Sequence, residues 1–265
     1  MSVLIPLGSD TRISKNGDGA LTENLLEEKN PAIDYSKCPS QYAGARYIME
    51  CGMKLEANVL TIATAATYYH KFFQYATLRE YDPYLIGSTC IYLASKVEDS
   101  DIKIRDIINV GVNCVKRNSL PLSLEPYFTI RDSVIHAELL LMRVLGFKLK
   151  VDLPHKYLLH YIQSLKDWLG EETFKSVPIT EVAWTVIQDV YHTPIVLKYS
   201  PQLLAASILH FVNQIYGITV PGSDDVNERS WFIFLHKDCT AKSVWEVISK
   251  IFEVYKEEEC LETIK

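Results

Sequence analysis

The stretch from Tyr81 to Asp99, Tyr-Asp-Pro-Tyr-Leu-Ile-Gly-Ser-Thr-Cys-Ile-Tyr-Leu-Ala-Ser-Lys-Val-Glu-Asp, leaves this chain few options. Asp82 can cap a helix by accepting a bond from a free backbone N–H. Pro83 then falls at the first helical position, where its missing N–H costs nothing. Nearly everything that follows is apolar or small, and a helix apolar all round has to be buried. Gly87, Ser88, Ala94 and Ser95 are small enough for neighbouring helices to come close. Charge returns at Lys96, Glu98, Asp99 and Asp101. The sequence therefore predicts a central helix enclosed along its body, with charge at its C-terminal end.

The pattern occurs twice. Tyr199-Ser200-Pro201-Gln202-Leu203-Leu204-Ala205-Ala206-Ser207-Ile208-Leu209 repeats Tyr-x-Pro-x-Leu followed by small and apolar residues. At the same spacing Ala65 and Thr67 fall on Ala183 and Thr185, and at a similar one Tyr47-Ile48 fall on Tyr161-Ile162. Such self-similarity implies two copies of one all-helical domain. Only the first copy carries the charged end.

Apolar periodicity and punctuation give five helices per copy. The first copy has Gln41–Leu55, Val59–Ala76, the Pro83 helix, Ile102–Val112 and Pro126–Leu145, with Gly146 as the stop. The second has helices near 155–169, 178–191, 201–216, 228–236 and 241–257. No alternating strand pattern occurs. The expected division is a flexible tail over 1–39, a first domain over 40–148, a second over 149–257, and a short tail over 258–265. In the first tail, one or two helical turns are expected around Leu21–Glu28. Ser14-Lys15-Asn16-Gly17-Asp18-Gly19 reads as a flexible turn, since a calcium loop would need carboxylates where Ser14 and Leu25 stand.

Composition narrows the function classes. The net charge is −6, which argues against an electrostatically driven nucleic-acid surface. No run of about 18 apolar residues is present to cross a membrane, and the N-terminus lacks the pattern of a signal peptide. The cysteines at 38, 51, 90, 114, 239 and 260 form no Cys-x-x-Cys pair, and Cys51 and Cys90 lie in apolar helical stretches. A reducing compartment, nucleus or cytoplasm, is expected. No phosphate loop, nucleophile elbow or zinc-binding pair of histidines appears. His155, His160, His192 and His210 read as surface or core residues. No cofactor, metal or catalytic residue is expected.

Two charges stand against apolar backgrounds: Lys96 at the end of the buried helix, and Glu138 inside Val134-Ile135-His136-Ala137-Glu138-Leu139-Leu140-Leu141-Met142-Arg143-Val144-Leu145. Charges in such places need partners. They either pair with each other or stand at a docking groove and bind another protein. Glu138, Met142 and Leu145 share one helical stripe, and Leu93, Lys96 and Val97 share one turn. The residues leave both readings open.

At these positions the chain resembles the cyclins. Tyr92-Leu93-Ala94-Ser95-Lys96-Val97-Glu98-Asp99 is similar to the cyclin-box signature, and so is Glu138 with the Leu-Leu-Leu-Met-Arg-Val-Leu-Gly-Phe that follows. Arg46 matches the arginine of the first cyclin-box helix. The resemblance covers about residues 40 to 255. His70, in Tyr68-Tyr69-His70-Lys71-Phe72, stands where cell-cycle cyclins have aspartate, as in transcription-type members. The resemblance implies two tandem five-helix cyclin folds and a non-enzymatic subunit that activates a cyclin-dependent kinase. By position, Lys96 and Glu138 would bond kinase backbone, and Leu93, Val97, Met142 and Leu149 would add apolar contact. Two departures are visible. Ala45 and Met49 flank Arg46 where the family's substrate-docking Met-Arg-x-x-Leu would have Met and Leu, and Asp99 replaces the usual second glutamate. The alternative is a nucleic-acid-binding general transcription factor of the two-cyclin-box type.

Overall fold

The structure, a computed structural model, describes residues 39–116, 122–170, 174, 176–220 and 231–263. The expectations for residues 1–38 lie outside these. The described residues are helical without a strand: α1 Pro39–Lys54, α2 Val59–Phe72, α3 Pro83–Val97, α4 Ile104–Val115, α5 Leu124–Val144, α6 Pro154–Leu169, α7 Ile179–Val190, the short α8 Ile195–Lys198, α9 Pro201–Ile215 and α10 Ala241–Thr263.

The two Pro-initiated helices behave as the repeat implies. Each has 15 residues with proline in its first turn. The Asp82 side chain accepts from the Tyr84 N–H at 3.1 Å, and the Ser200 hydroxyl accepts from the Leu203 N–H at 3.4 Å. Each cap satisfies a donor that the helix itself leaves orphaned. α3 packs on α1, α2, α4 and α5, while α9 packs on α6, α7 and α10. Each is thus the axle of its own core. Close approach needs the small residues: a Cβ on Gly87 would lie 3.0 Å from the Tyr47 ring. Cys51 and Cys90 are fully buried among these apolar neighbours.

α2 is more enclosed than its composition suggests, with every residue from Thr61 to His70 buried. It needs this enclosure because it also carries the joint between the two halves. α8 lies against α2, and Tyr191 belongs to the first core. The His70 Nε2–H donates to the Tyr191 carbonyl at 2.8 Å, and the Tyr68 hydroxyl donates to the Leu149 carbonyl. His155 stacks on the Tyr191 ring at 5.7 Å, so it is a core residue.

The second half departs from its expected helices. In place of a helix over 228–236, the described part of that stretch is one 3-10 turn, Trp231–Phe234. Trp231 and Phe232 are buried but Ile233 and Phe234 are exposed, and Cys239 is again buried. The chain must return to the core within a few residues, and a tight 3-10 turn achieves this where an α-helix has no room. α8 has no counterpart among the expected helices, and α10 runs on to Thr263, past the expected end at 257. Its Glu257-Glu258-Glu259 run consists of good helix formers and gives no stop signal.

Candidate protein-docking face

α3 ends in a turn that fixes where Lys96 points. Glu98 caps the helix, and Asp99 follows in the left-handed region at φ 50°. The Ser100 N–H reaches back to the Ser95 carbonyl at 2.8 Å, which closes a Schellman-type stop. The Glu98 carboxylate accepts from the Thr64 hydroxyl at 2.8 Å. Lys96 lies in the last turn, where a cation complements the helix dipole.

The Lys96 ammonium donates to both Glu138 oxygens, at 2.7 and 2.9 Å. It also sits 3.9 Å from the centroid of the Tyr92 ring, within cation–π range. The pair is lopsided: the Lys96 side chain is 47% exposed and that of Glu138 11%. Partial burial pulls the Lys96 pKa down, but its bonds to Glu138 and Tyr92 outweigh this and leave it raised. The two charges therefore meet at the rim of the fold. Lys has three donors and a carboxylate about four acceptor sites, so this contact leaves capacity on both for an incoming backbone.

Around the pair, Leu93 is buried while Val97, Met142 and Leu149 are half-buried. The six candidate residues therefore lie on α3, α5 and the segment just after α5. Three residues that the sequence did not single out join this region. Ile135 and Leu139 on α5 are 40% and 53% exposed. Phe147 is 68% exposed and held at φ 57°. An apolar residue just past a glycine stop ordinarily folds back on its helix, so sequence alone would bury Phe147. The run from Val134 to Leu145 is polar only at His136, Glu138 and Arg143 and apolar at every other position, which hides which of its apolar faces stays open. A bulky residue at positive φ is costly and needs a context that holds it there. Here the Phe147 N–H bonds the Met142 carbonyl at 3.0 Å.

On α1, Arg46 is exposed, whereas Ala45 and Met49 are buried and offer no apolar patch beside it. Among the described residues there is no cluster of metal-binding side chains and no helix long and apolar enough to cross a membrane.

Two helical bundles, each built round an enclosed Pro-initiated helix, make the cyclin fold. Residues 30–150 match the family described as "Cyclin, N-terminal domain". Cyclin pch1 of Schizosaccharomyces pombe is 34% identical over 174 residues, covering 63% of this chain and 48% of that protein. Cyclin-K of Homo sapiens is 26% identical over 245 residues, covering 91% of this chain and 40% of that protein. The chain spans about half or less of these relatives' length. Among solved structures, a chain of the yeast RNA Pol II CTD kinase CTDK-1 complex superposes with a TM-score of 0.64 at 17% identity, covering 84% of this chain and 67% of that one. A chain of the CAK complex from Chaetomium thermophilum bound to ATP-gamma-S gives 0.57 at 16% identity, covering 91% and 70%. At such identities the likeness is one of fold.

Proposed function

We propose that the chain is the regulatory, activating subunit of a cyclin-dependent protein kinase and performs no catalysis itself. The observation that carries this reading is the uncovered apolar face around Lys96–Glu138, on the helices where the family resemblance places kinase contact. A protein kinase is active only when its strand lysine pairs with a glutamate on a mobile helix. A rigid partner that binds the inward position of that helix shifts the population toward it. Lys96 and Glu138 would offer their remaining donors and acceptors to kinase backbone, while the half-buried Val97, Met142 and Leu149 pack against it and Leu93, enclosed in the first core, supports them from beneath. Leu139 and Phe147 would widen that contact.

The strings Tyr69-His70-Lys71-Phe72-Phe73, Tyr81-Asp82-Pro83-Tyr84-Leu85-Ile86, Arg105-Asp106-Ile107-Ile108-Asn109-Val110 and Pro154-His155-Lys156-Tyr157-Leu158-Leu159-His160-Tyr161 resemble cyclin Q, a transcription-type cyclin. That resemblance points to cyclin-dependent kinase 10 as the partner and to the nucleus or cytoplasm as the place of action. The buried Ala45 and Met49 argue against substrate recruitment beside Arg46. The net charge of −6 weighs against the nucleic-acid-binding alternative. The test is to mix the purified chain with that kinase and follow phosphate transfer to a peptide. Co-elution with a gain in activity is expected; two separate peaks with no gain would contradict the proposal.

A further inference from the structure

Away from the α3–α5 face, a cluster of reactive groups lies where α1 meets α4. Tyr47, Cys51 and Lys54 follow one another along one side of α1, facing Gly111 and Cys114 on α4. The seam is tight: a Cβ on Gly111 would fall 2.2 Å from the Tyr47 hydroxyl oxygen. One turn further along, both cysteines are free thiols, Cys51 fully buried and Cys114 half-buried. Burial, and then Cys114 beside it, pushes the Cys51 thiol well up. The Lys54 ammonium donates to the Cys114 sulfur at 3.5 Å and to Glu50 Oε1 at 2.8 Å. The sulfur of the half-buried Cys114 is thus held toward α1, beside Cys51.

We propose that Cys114 and Cys51 are a peroxide-responsive thiol pair that closes into a reversible disulfide between α4 and α1. The Cys114 thiolate attacks hydrogen peroxide; the O–O bond breaks, a sulfenic acid forms, and the departing hydroxide takes up the proton that the thiol released. The Cys51 sulfur then attacks the sulfenic sulfur. The S–O bond breaks, the S–S bond forms, and the Cys51 proton leaves with the hydroxyl as water. Two thiols are oxidised by two electrons, and one peroxide is reduced to two waters. Excess thiol reverses the link by exchange, as a reducing compartment requires of a transient disulfide. The loop so closed contains α2 and α3 whole, so the link ties the first core together behind the docking face. This inference does not depend on the kinase reading.

The experiment treats the full chain with stoichiometric hydrogen peroxide, quenches it with an alkylating agent, and maps peptides by mass spectrometry without reductant. The expected product is a Cys51–Cys114 linked peptide lighter by two hydrogen atoms, which dithiothreitol restores to two thiols. Cys114→Ser and, as a check on packing, Cys114→Ala should abolish the link and leave Cys51 a free thiol. Lys54→Met should slow its formation. Linkage of either cysteine to a different partner, or conversion of Cys114 to sulfinic acid while Cys51 stays a free thiol, would overturn the proposal.

Discussion

Lys96 ties α3 to α5 through both carboxylate oxygens of Glu138, with the lysine facing solvent and the glutamate facing the core. The exposure of the lysine limits what the pair contributes to the free protein. An ion pair of this kind stabilises by about 0–1 kcal/mol. Lys96→Met should therefore cost the isolated chain roughly 1 kcal/mol, slightly more if Glu138 cannot rehydrate. Urea titration measures this directly. A loss of about 3–5 kcal/mol would mean that the pair behaves as a buried one, and that its purpose is internal.

Gly87 sits where α3 crosses α1. A Cβ there already meets Tyr47 at 3.0 and 3.2 Å and Ile48 at 3.4 Å. Gly87→Leu should overpack this crossing and cost about 1–3 kcal/mol, read as a lower melting temperature. An unchanged transition would show that α1 can move away freely.

The joint between the halves carries a pH dependence. Desolvation holds His70 at a pKa of about 4, against a backbone bond to Tyr191 that works the other way. Desolvation likewise holds His155 at about 4. Below about pH 6.5 the unfolded chain binds protons at these sites that the folded chain refuses. Stability from this source is thus complete above about pH 6.5 and is lost as pH falls toward 4. His70→Gln keeps a donor for the Tyr191 carbonyl and removes one titration. Denaturant midpoints from pH 7 to pH 4 should fall less steeply in that variant; parallel profiles would show that His70 is not a source of the loss.

Asp99 ends α3 in the left-handed region, at φ 50°, where glycine is at ease and aspartate is only tolerated. Asp99→Gly should raise stability by up to about 1 kcal/mol. A lower stability would show that the aspartate side chain holds the turn.

The starts of α3 and α9 were legible because the signals are local: a capping side chain, a proline, then unbroken small and apolar residues. The enclosure of Gly87 and Cys90 follows from the same pattern, and that of Cys51 from the apolar spacing along α1. The turn at Trp231–Phe234 is hidden in the sequence because Trp231-Phe232-Ile233-Phe234-Leu235 is an unbroken apolar run that carries no periodicity, while the turn depends on Cys239 having to reach the core. The role of His70 was invisible for a similar reason: its acceptor, the Tyr191 carbonyl, lies in the other half of the chain. Lys96 and Glu138 were visible as charges out of place, yet the sequence could not choose between pairing and docking. The geometry removes the conflict, since two groups that meet at the surface can do both. Phe147 escaped notice because exposure of an apolar residue after a glycine stop is settled by what surrounds it.

The most direct test of the central claim is the affinity of Glu138→Ala for the cyclin-dependent kinase, measured by calorimetry beside the stability of the same free variant. Should Glu138 accept bonds from kinase backbone, binding weakens by roughly 2–5 kcal/mol, as for truncation of a buried charged partner. The free chain then loses about 1 kcal/mol, as expected for a pair whose lysine is half exposed. Wild-type affinity in the folded variant, with the whole loss appearing as instability of the free chain, would contradict the docking assignment.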